Sequence, residues 1–200
     1  LATIESWGLE TAVSRFNGMF AFAVWDMHEH TLHLVRDRLG IKPLYYGFSR
    51  GTFLFGSELK ALQAHPDFDF EIDRDALALF FRNNVIPAPY TIFRGIRKLQ
   101  AGTLLTLTRL DAEPQLQTYW DAWQVAETGS NNRFAGSYDE ALEELDVLLH
   151  DSVGLRMIAD VPLGAFLSGG IDSSTVVAMM QSQSERPVRS FSIGFNENGY

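Results

Sequence analysis

Phe166-Leu167-Ser168-Gly169-Gly170-Ile171-Asp172-Ser173-Ser174 gathers three hydroxyls, two adjacent glycines and a carboxylate into one short run. Those residue types at that spacing can hold an oxyanion. Adjacent glycines allow φ > 0 and let a ligand approach the main chain with no Cβ in the way. Ser168, Ser173 and Ser174 supply hydroxyl donors. A helix starting here would add free N–H groups and the positive end of its dipole, which favours phosphate. The site is not a Walker A loop, because no lysine follows the glycines to reach terminal phosphates. Asp172 stands there instead. A carboxylate facing phosphates is unfavourable unless a cation lies between them. Asp172 is therefore a candidate Mg²⁺ ligand as well as a residue of the helix start. A strand–helix turn with Asp or Ser as an ordinary cap is the alternative.

The elements around this run suit the task. Val161 to Leu167 is apolar and reads as a strand, and Thr175 to Met180 suits a helix. Ser137-Tyr138-Asp139-Glu140 forms a capping box. The helix it opens is expected to bury Leu142, Leu145, Leu149 and Val153 on one face. Phe191 to Phe195 reads as a further strand. Residues 122–136 carry Gly129-Ser130-Asn131-Asn132, lack apolar periodicity and read as a linker.

The first 121 residues have a different character. Leu1 to Ser14 is helix-like. Met19 to Trp25 is apolar on both faces and reads as a fully buried strand. Thr31 to Asp37 is a second strand, across a polar turn from Asp26 to His30. Leu44–Phe48 and Thr52–Gly56 form a hairpin around Ser49-Arg50-Gly51. A short helix is expected to start at Ser57, and another over 73–82, capped by Asp73. Pro87-Ala88-Pro89 excludes helix. Thr103–Arg109 and Leu116–Trp120 return to strand. Clustered strands with helices outside them make a layered α+β domain. No internal repeat or low-complexity tract is present.

Two other groupings invite a chemical reading. His28, His30 and His33 with Asp26 and Glu29 are dense enough to suggest a metal site. They span a turn, however, so their side chains diverge, and a solvated turn is the better reading. Arg36-Asp37, followed by Gly40 and Pro43, closes a strand on a constrained turn. Hydrogen bonds and charge pairing that fix the turn are the favoured reading.

Composition narrows the class. The chain has 16 basic and 25 acidic residues, for a net charge of −9. That argues against a general nucleic-acid surface. Apolar residues make up 46% and include 15 Phe, enough for a packed core in one or two domains. No apolar run reaches membrane-spanning length, no signal peptide is visible, and no cysteine is present for disulfides or metal. A cytoplasmic protein is expected.

Ser168-Gly169-Gly170-Ile171-Asp172-Ser173-Ser174 resembles the SGGxDS loop of the ATP pyrophosphatase enzymes, which transfer AMP and release pyrophosphate. Asn17-Gly18-Met19-Phe20-Ala21-Phe22-Ala23-Val24-Trp25-Asp26 resembles the second half of a class II glutamine amidotransferase domain. So do Arg36-Asp37-Arg38-Leu39-Gly40-Ile41-Lys42-Pro43-Leu44-Tyr45-Tyr46 and Ser57-Glu58-Leu59-Lys60-Ala61-Leu62. The order of the two parts is similar to that of the glutamine-hydrolysing asparagine synthetases.

The resemblance implies an incomplete Ntn-type αββα sandwich over 1–121. The linker 122–136 follows, and 137–200 begins an α/β parallel-sheet ATP pyrophosphatase domain. It implies ATP and pyrophosphate binding by Leu167, Ser168, Gly169, Gly170, Ile171, Asp172, Ser173, Ser174 and Ile193, with Asp172 on Mg²⁺. Leu167 and Ile193, at matching strand ends, would flank adenine or serve as plain core residues. Glutamine, aspartate and ATP are the implied substrates, and the resemblance is compatible with a homodimer. The family's nucleophile is an N-terminal cysteine. With none here, and Leu1 first, an internal fragment inactive on its own is expected, with no catalytic residue assigned. A β-lactam synthetase-like enzyme with another acceptor and a non-catalytic nucleotide-binding module are the alternatives.

Overall fold

A computed structural model describes residues 1–194. The chain divides into two compact units, Leu1–Asn131 and Asn132–Tyr200.

The first unit opens with α1 (Ala2–Trp7) and α2 (Leu9–Arg15). The single helix expected over 1–14 is broken at Gly8, whose φ of 77° and ψ of 158° leave the helical region. Strands β1 (Ala21–Asp26) and β2 (Thr31–Arg36) come next, then the expected hairpin β3 (Tyr45–Ser49) and β4 (Thr52–Gly56). α3 (Leu59–Gln63) begins two residues later than Ser57, with Glu58 at its N-cap and no side-chain cap bond. α4 (Arg74–Asn83) is capped as expected, the Asp73 side chain accepting from the N–H groups of Asp75 and Ala76. β5 (Ile96–Lys98), β6 (Thr103–Leu107) and β7 (Gln115–Thr118) complete two antiparallel sheets, ordered β1-β2-β6-β7 and β4-β3-β5.

Register explains the layering. Leu34 pairs with Leu105 and Val35 with Leu104 across β2 and β6. Neighbouring side chains on a strand point to opposite faces. Leu34 and Leu105 therefore meet Leu44, Tyr46 and Leu99 between the sheets. Val35 and Leu104 meet Val13 of α2 on the outer face. Beyond the second sheet, Leu54 and Ile96 pack with Leu62 of α3 and Phe68. The result is a mixed α/β unit with antiparallel sheets, compatible with an Ntn-type amidotransferase domain. β1 departs from expectation: it is a sheet edge with Ala23 and Trp25 exposed, not a fully buried strand. The expected linker 122–136 begins with a helix. α5 (Ala122–Asn131) is a helix, and the Asp121 carboxylate accepts from the Gln124 N–H at its start.

The second unit carries α6 (Tyr138–Arg156), β8 (Gly164–Phe166), α7 (Ile171–Ser182) and β9 (Arg189–Phe191). The capping box at Ser137 and Glu140 forms as read from the sequence. The buried face does not. Leu142 and Leu145 are exposed, and only Leu149 and Val153 are half-buried. Polar bonds link α6 to the end of α7: His150 Nε2 lies 3.0 Å from Ser182 Oγ, and Gln183 Nε2 donates to the His150 carbonyl. β8 and β9 pair in parallel, with α7 between them in the chain. β8 is shorter than expected, and β9 ends at Phe191, where the expected strand begins; Phe195 lies outside the described residues.

Candidate functional site

The glycine–serine run forms the bend from β8 into α7. The positive φ belongs to Gly169, at 83°, while Gly170 is extended (φ −81°, ψ 161°) and is the N-cap of α7. Glycine's conformational freedom is thus needed at Gly169. A Cβ there would project into open space with nothing within 4 Å, where a ligand could otherwise reach the backbone.

The hydroxyls converge. Ser168 Oγ and Ser173 Oγ lie 3.0 Å apart, and the Ser168 N–H donates to Ser173 Oγ. Ser173 and Ser174 hydroxyls both donate to the Gly170 carbonyl. Ile171 and Asp172 occupy the first turn of α7, and α7 has no side-chain cap. The reading of Asp172 as an ordinary cap therefore fails, and its carboxylate makes no hydrogen bond or ion pair with the described residues. Around the loop sit donors that already bond one another and can be exchanged for anion oxygens.

Leu167 follows β8 directly and is half-buried, and Ile193 follows β9 by two residues and is 78% exposed. Both lie at the carboxyl edge of the parallel pair, where ligands bind in such sheets.

Among the described residues, no group of three or more His, Asp or Glu side chains could hold a metal by itself. The histidine-rich turn is a turn. The Asp26 carboxylate accepts from the N–H groups of His28 and Glu29, and these bonds hold its pKa below the usual value. His33 leaves the turn to reach Thr106 Oγ1 at 3.0 Å, and burial lowers its pKa. A single carboxylate is still a fit for Mg²⁺, which is commonly bound by one or two carboxylates plus phosphate oxygens.

Arg36 and Asp37 build the turn after β2. Arg36 donates to the carbonyls of Lys42, Leu99 and Gly40. The Asp37 carboxylate, 1% exposed, accepts from the N–H groups of Ile41 and Lys42. Tyr119 donates its phenol to the Arg36 carbonyl, and burial, with Asp37 nearby, raises its pKa to about 12. Sequence reasoning anticipated the turn but missed Tyr119, which is 83 residues away in the chain.

Residues 1–120 match the glutamine amidotransferase domain family, and residues 144–200 match the asparagine synthase family. This chain belongs to the glutamine-hydrolysing asparagine synthetase family. "Asparagine synthetase [glutamine-hydrolyzing] 3" of Bacillus subtilis is 36% identical over 94% of the chain and 30% of its own length. A putative asparagine synthetase [glutamine-hydrolyzing] 2 of Methanocaldococcus jannaschii is 39% identical over 92% of the chain and 35% of its own length. "Amidase chry2" of Gibberella zeae is 33% identical over 90% of the chain and 26% of its own length. The chain thus spans about a third of the length of the curated relatives it matches. No helix of the described residues is long and apolar enough to cross a membrane.

Proposed function

We propose that the full-length protein carrying this chain is an ATP-dependent amidotransferase that makes asparagine from aspartate with ammonia taken from glutamine. The observation that carries this reading is the succession on one chain of an amidotransferase match and an asparagine synthase match, the second containing the Gly169 loop. In this reading residues 1–121 belong to the glutaminase domain, 122–136 connect, and 137–200 belong to the synthetase domain.

The chemistry is adenylation. An aspartate carboxylate oxygen attacks the α-phosphorus of ATP, and the bond to the β-phosphate oxygen breaks. Aspartyl-AMP and pyrophosphate result. Ammonia then attacks the acyl carbon, and AMP leaves with the oxygen that aspartate supplied. Ser168, Ser173, Ser174 and the N–H groups at the start of α7 bind the departing pyrophosphate and stabilise the charge that develops on it. Gly169 and Gly170 keep the backbone open to it. Asp172 would hold Mg²⁺, which would offset the charge of the phosphates. Leu167 and Ile193 border the nucleotide base.

An acceptor other than aspartate is the second reading, because a relative with 33% identity bears the name of an amidase. Aspartate labelled with ¹⁸O in its side-chain carboxylate discriminates. The proposal expects label in AMP and equal amounts of AMP and pyrophosphate. ADP and inorganic phosphate as products would defeat adenylation. AMP formation with other acids but not aspartate would support the second reading.

A further inference from the structure

The peptide joining Leu167 to Ser168 is held from both sides. The Ser192 hydroxyl donates to the Leu167 carbonyl oxygen at 2.6 Å. The Ser168 N–H donates to Ser173 Oγ at 3.3 Å. In a planar trans peptide the carbonyl and the N–H point in opposite directions, so a donor that fixes the one also fixes the heading of the other. This N–H heads into the hydroxyl cluster, because Ser173 Oγ also lies 3.0 Å from Ser168 Oγ. The tie comes from the neighbouring strand. The Leu167 N–H donates to the Phe191 carbonyl at 2.8 Å, which continues the pairing of Phe166 with Phe191 by one backbone bond. β9 ends at Phe191, and a side chain takes up the next carbonyl.

We propose that Ser192 is a positioning residue for the loop. Its hydroxyl fixes the Leu167 carbonyl and thereby keeps the Ser168 N–H aimed at the oxyanion bound in the loop. The inference rests on the reading of that loop as a pyrophosphate cradle. A donor aimed in advance stabilises charge that develops in the transition state more than charge already present in the ground state. Removing the tie therefore lowers the rate of adenylation more than the affinity for ATP. Ser192 itself does not touch the nucleotide.

The test compares Ser192→Ala and Ser192→Thr in the full-length protein, with kcat and KM for ATP read from pyrophosphate release. Ser192→Ala is expected to lower kcat about tenfold, the size typical of losing an orienting partner, with KM changed by less than about threefold. Ser192→Thr keeps the hydroxyl and should restore kcat to within about twofold. Ammonia release from glutamine should be the same in all three proteins. Gly169→Val separates the two levels of the argument. If Gly169→Val stops AMP formation while Ser192→Ala runs at the wild-type rate, the inference about Ser192 is wrong and the cradle stands. If Gly169→Val forms AMP at the wild-type rate, the cradle itself is wrong. A Ser192→Ala loss that Ser192→Thr does not restore also overturns the inference, because the hydroxyl would then not be the cause.

Discussion

The two units hold their chemistry in place by different means. In Leu1–Asn131, fully buried side chains such as Leu34, Val35, Leu99 and Leu105 fill three layers of packing between sheets and helices. In the second unit, Met180 is the one buried apolar side chain among the described residues, while Leu145, Phe166, Ile171 and Phe191 are exposed. The polar ties there are the Ser137–Glu140 box, the His150–Ser182 contact, and the Ser192 and Ser173 bonds around the loop. Position in the first unit is a property of the core. In the part of the asparagine synthase match that this chain carries, the described contacts at the loop are individual hydrogen bonds, each worth about 0.5–1.5 kcal/mol.

That contrast predicts a large difference for one chemical change. Leu105→Ala should destabilise the 200-residue chain by about 2–5 kcal/mol, through lost transfer energy and a cavity. Leu145→Ala, at a side chain 51% exposed, should stay within about 0.5 kcal/mol. Calorimetric unfolding of the two variants reads both, and equal losses would erase the contrast.

Arg36 sharpens it, as the place where the first unit also relies on polar bonds. Arg36→Ala leaves three carbonyls without their donor and should cost about 2–4 kcal/mol. Arg36→Lys should recover less than half of that, since an ammonium cannot reproduce the guanidinium fork. Denaturant titration of both variants checks this; full recovery by lysine would mean that charge alone matters.

The smallest effect concerns His33. Its folded pKa is depressed, chiefly by burial and only partly countered by Asp26. The unfolded chain therefore binds the proton more readily. Stability is fully present above the unfolded value of about 6.5 and is lost as pH falls from there toward the folded pKa. The melting temperature of His33→Gln should depend less on pH across that interval than that of the wild type. Parallel curves would remove His33 as the cause.

What was legible in the sequence follows the same division. Local signals survived into the structure: the Asp73 cap, the Ser137 box, the hairpin around Arg50, and the glycine bend before α7. Each depends on a few adjacent residues whose chemistry allows little choice. Readings that needed knowledge of distant packing fared worse. Met19–Trp25 is apolar enough for two buried faces, yet β1 lies at a sheet edge. The apolar spacing of α6 predicts a buried face, yet Leu142 and Leu145 are exposed. Gly129-Ser130-Asn131 hides from the sequence a helix that Asp121 starts. At the candidate site, the residue types were visible. The backbone was not: positive φ falls on Gly169 and not on Gly170, and Ser192 gives no sign in the sequence of its bond to Leu167.

The cradle is the central claim, and Asp172→Asn in the full-length protein tests it most directly. The amide keeps the size of the side chain and removes the charge that would hold Mg²⁺. AMP formation and ammonia release are measured together across a Mg²⁺ series. The account predicts that most AMP formation is lost at low Mg²⁺ and partly regained as Mg²⁺ rises, because weaker affinity is offset by concentration. Ammonia release from glutamine should persist throughout. AMP formation at the wild-type rate at low Mg²⁺ would contradict the role given to Asp172 and, with it, the assignment of the loop.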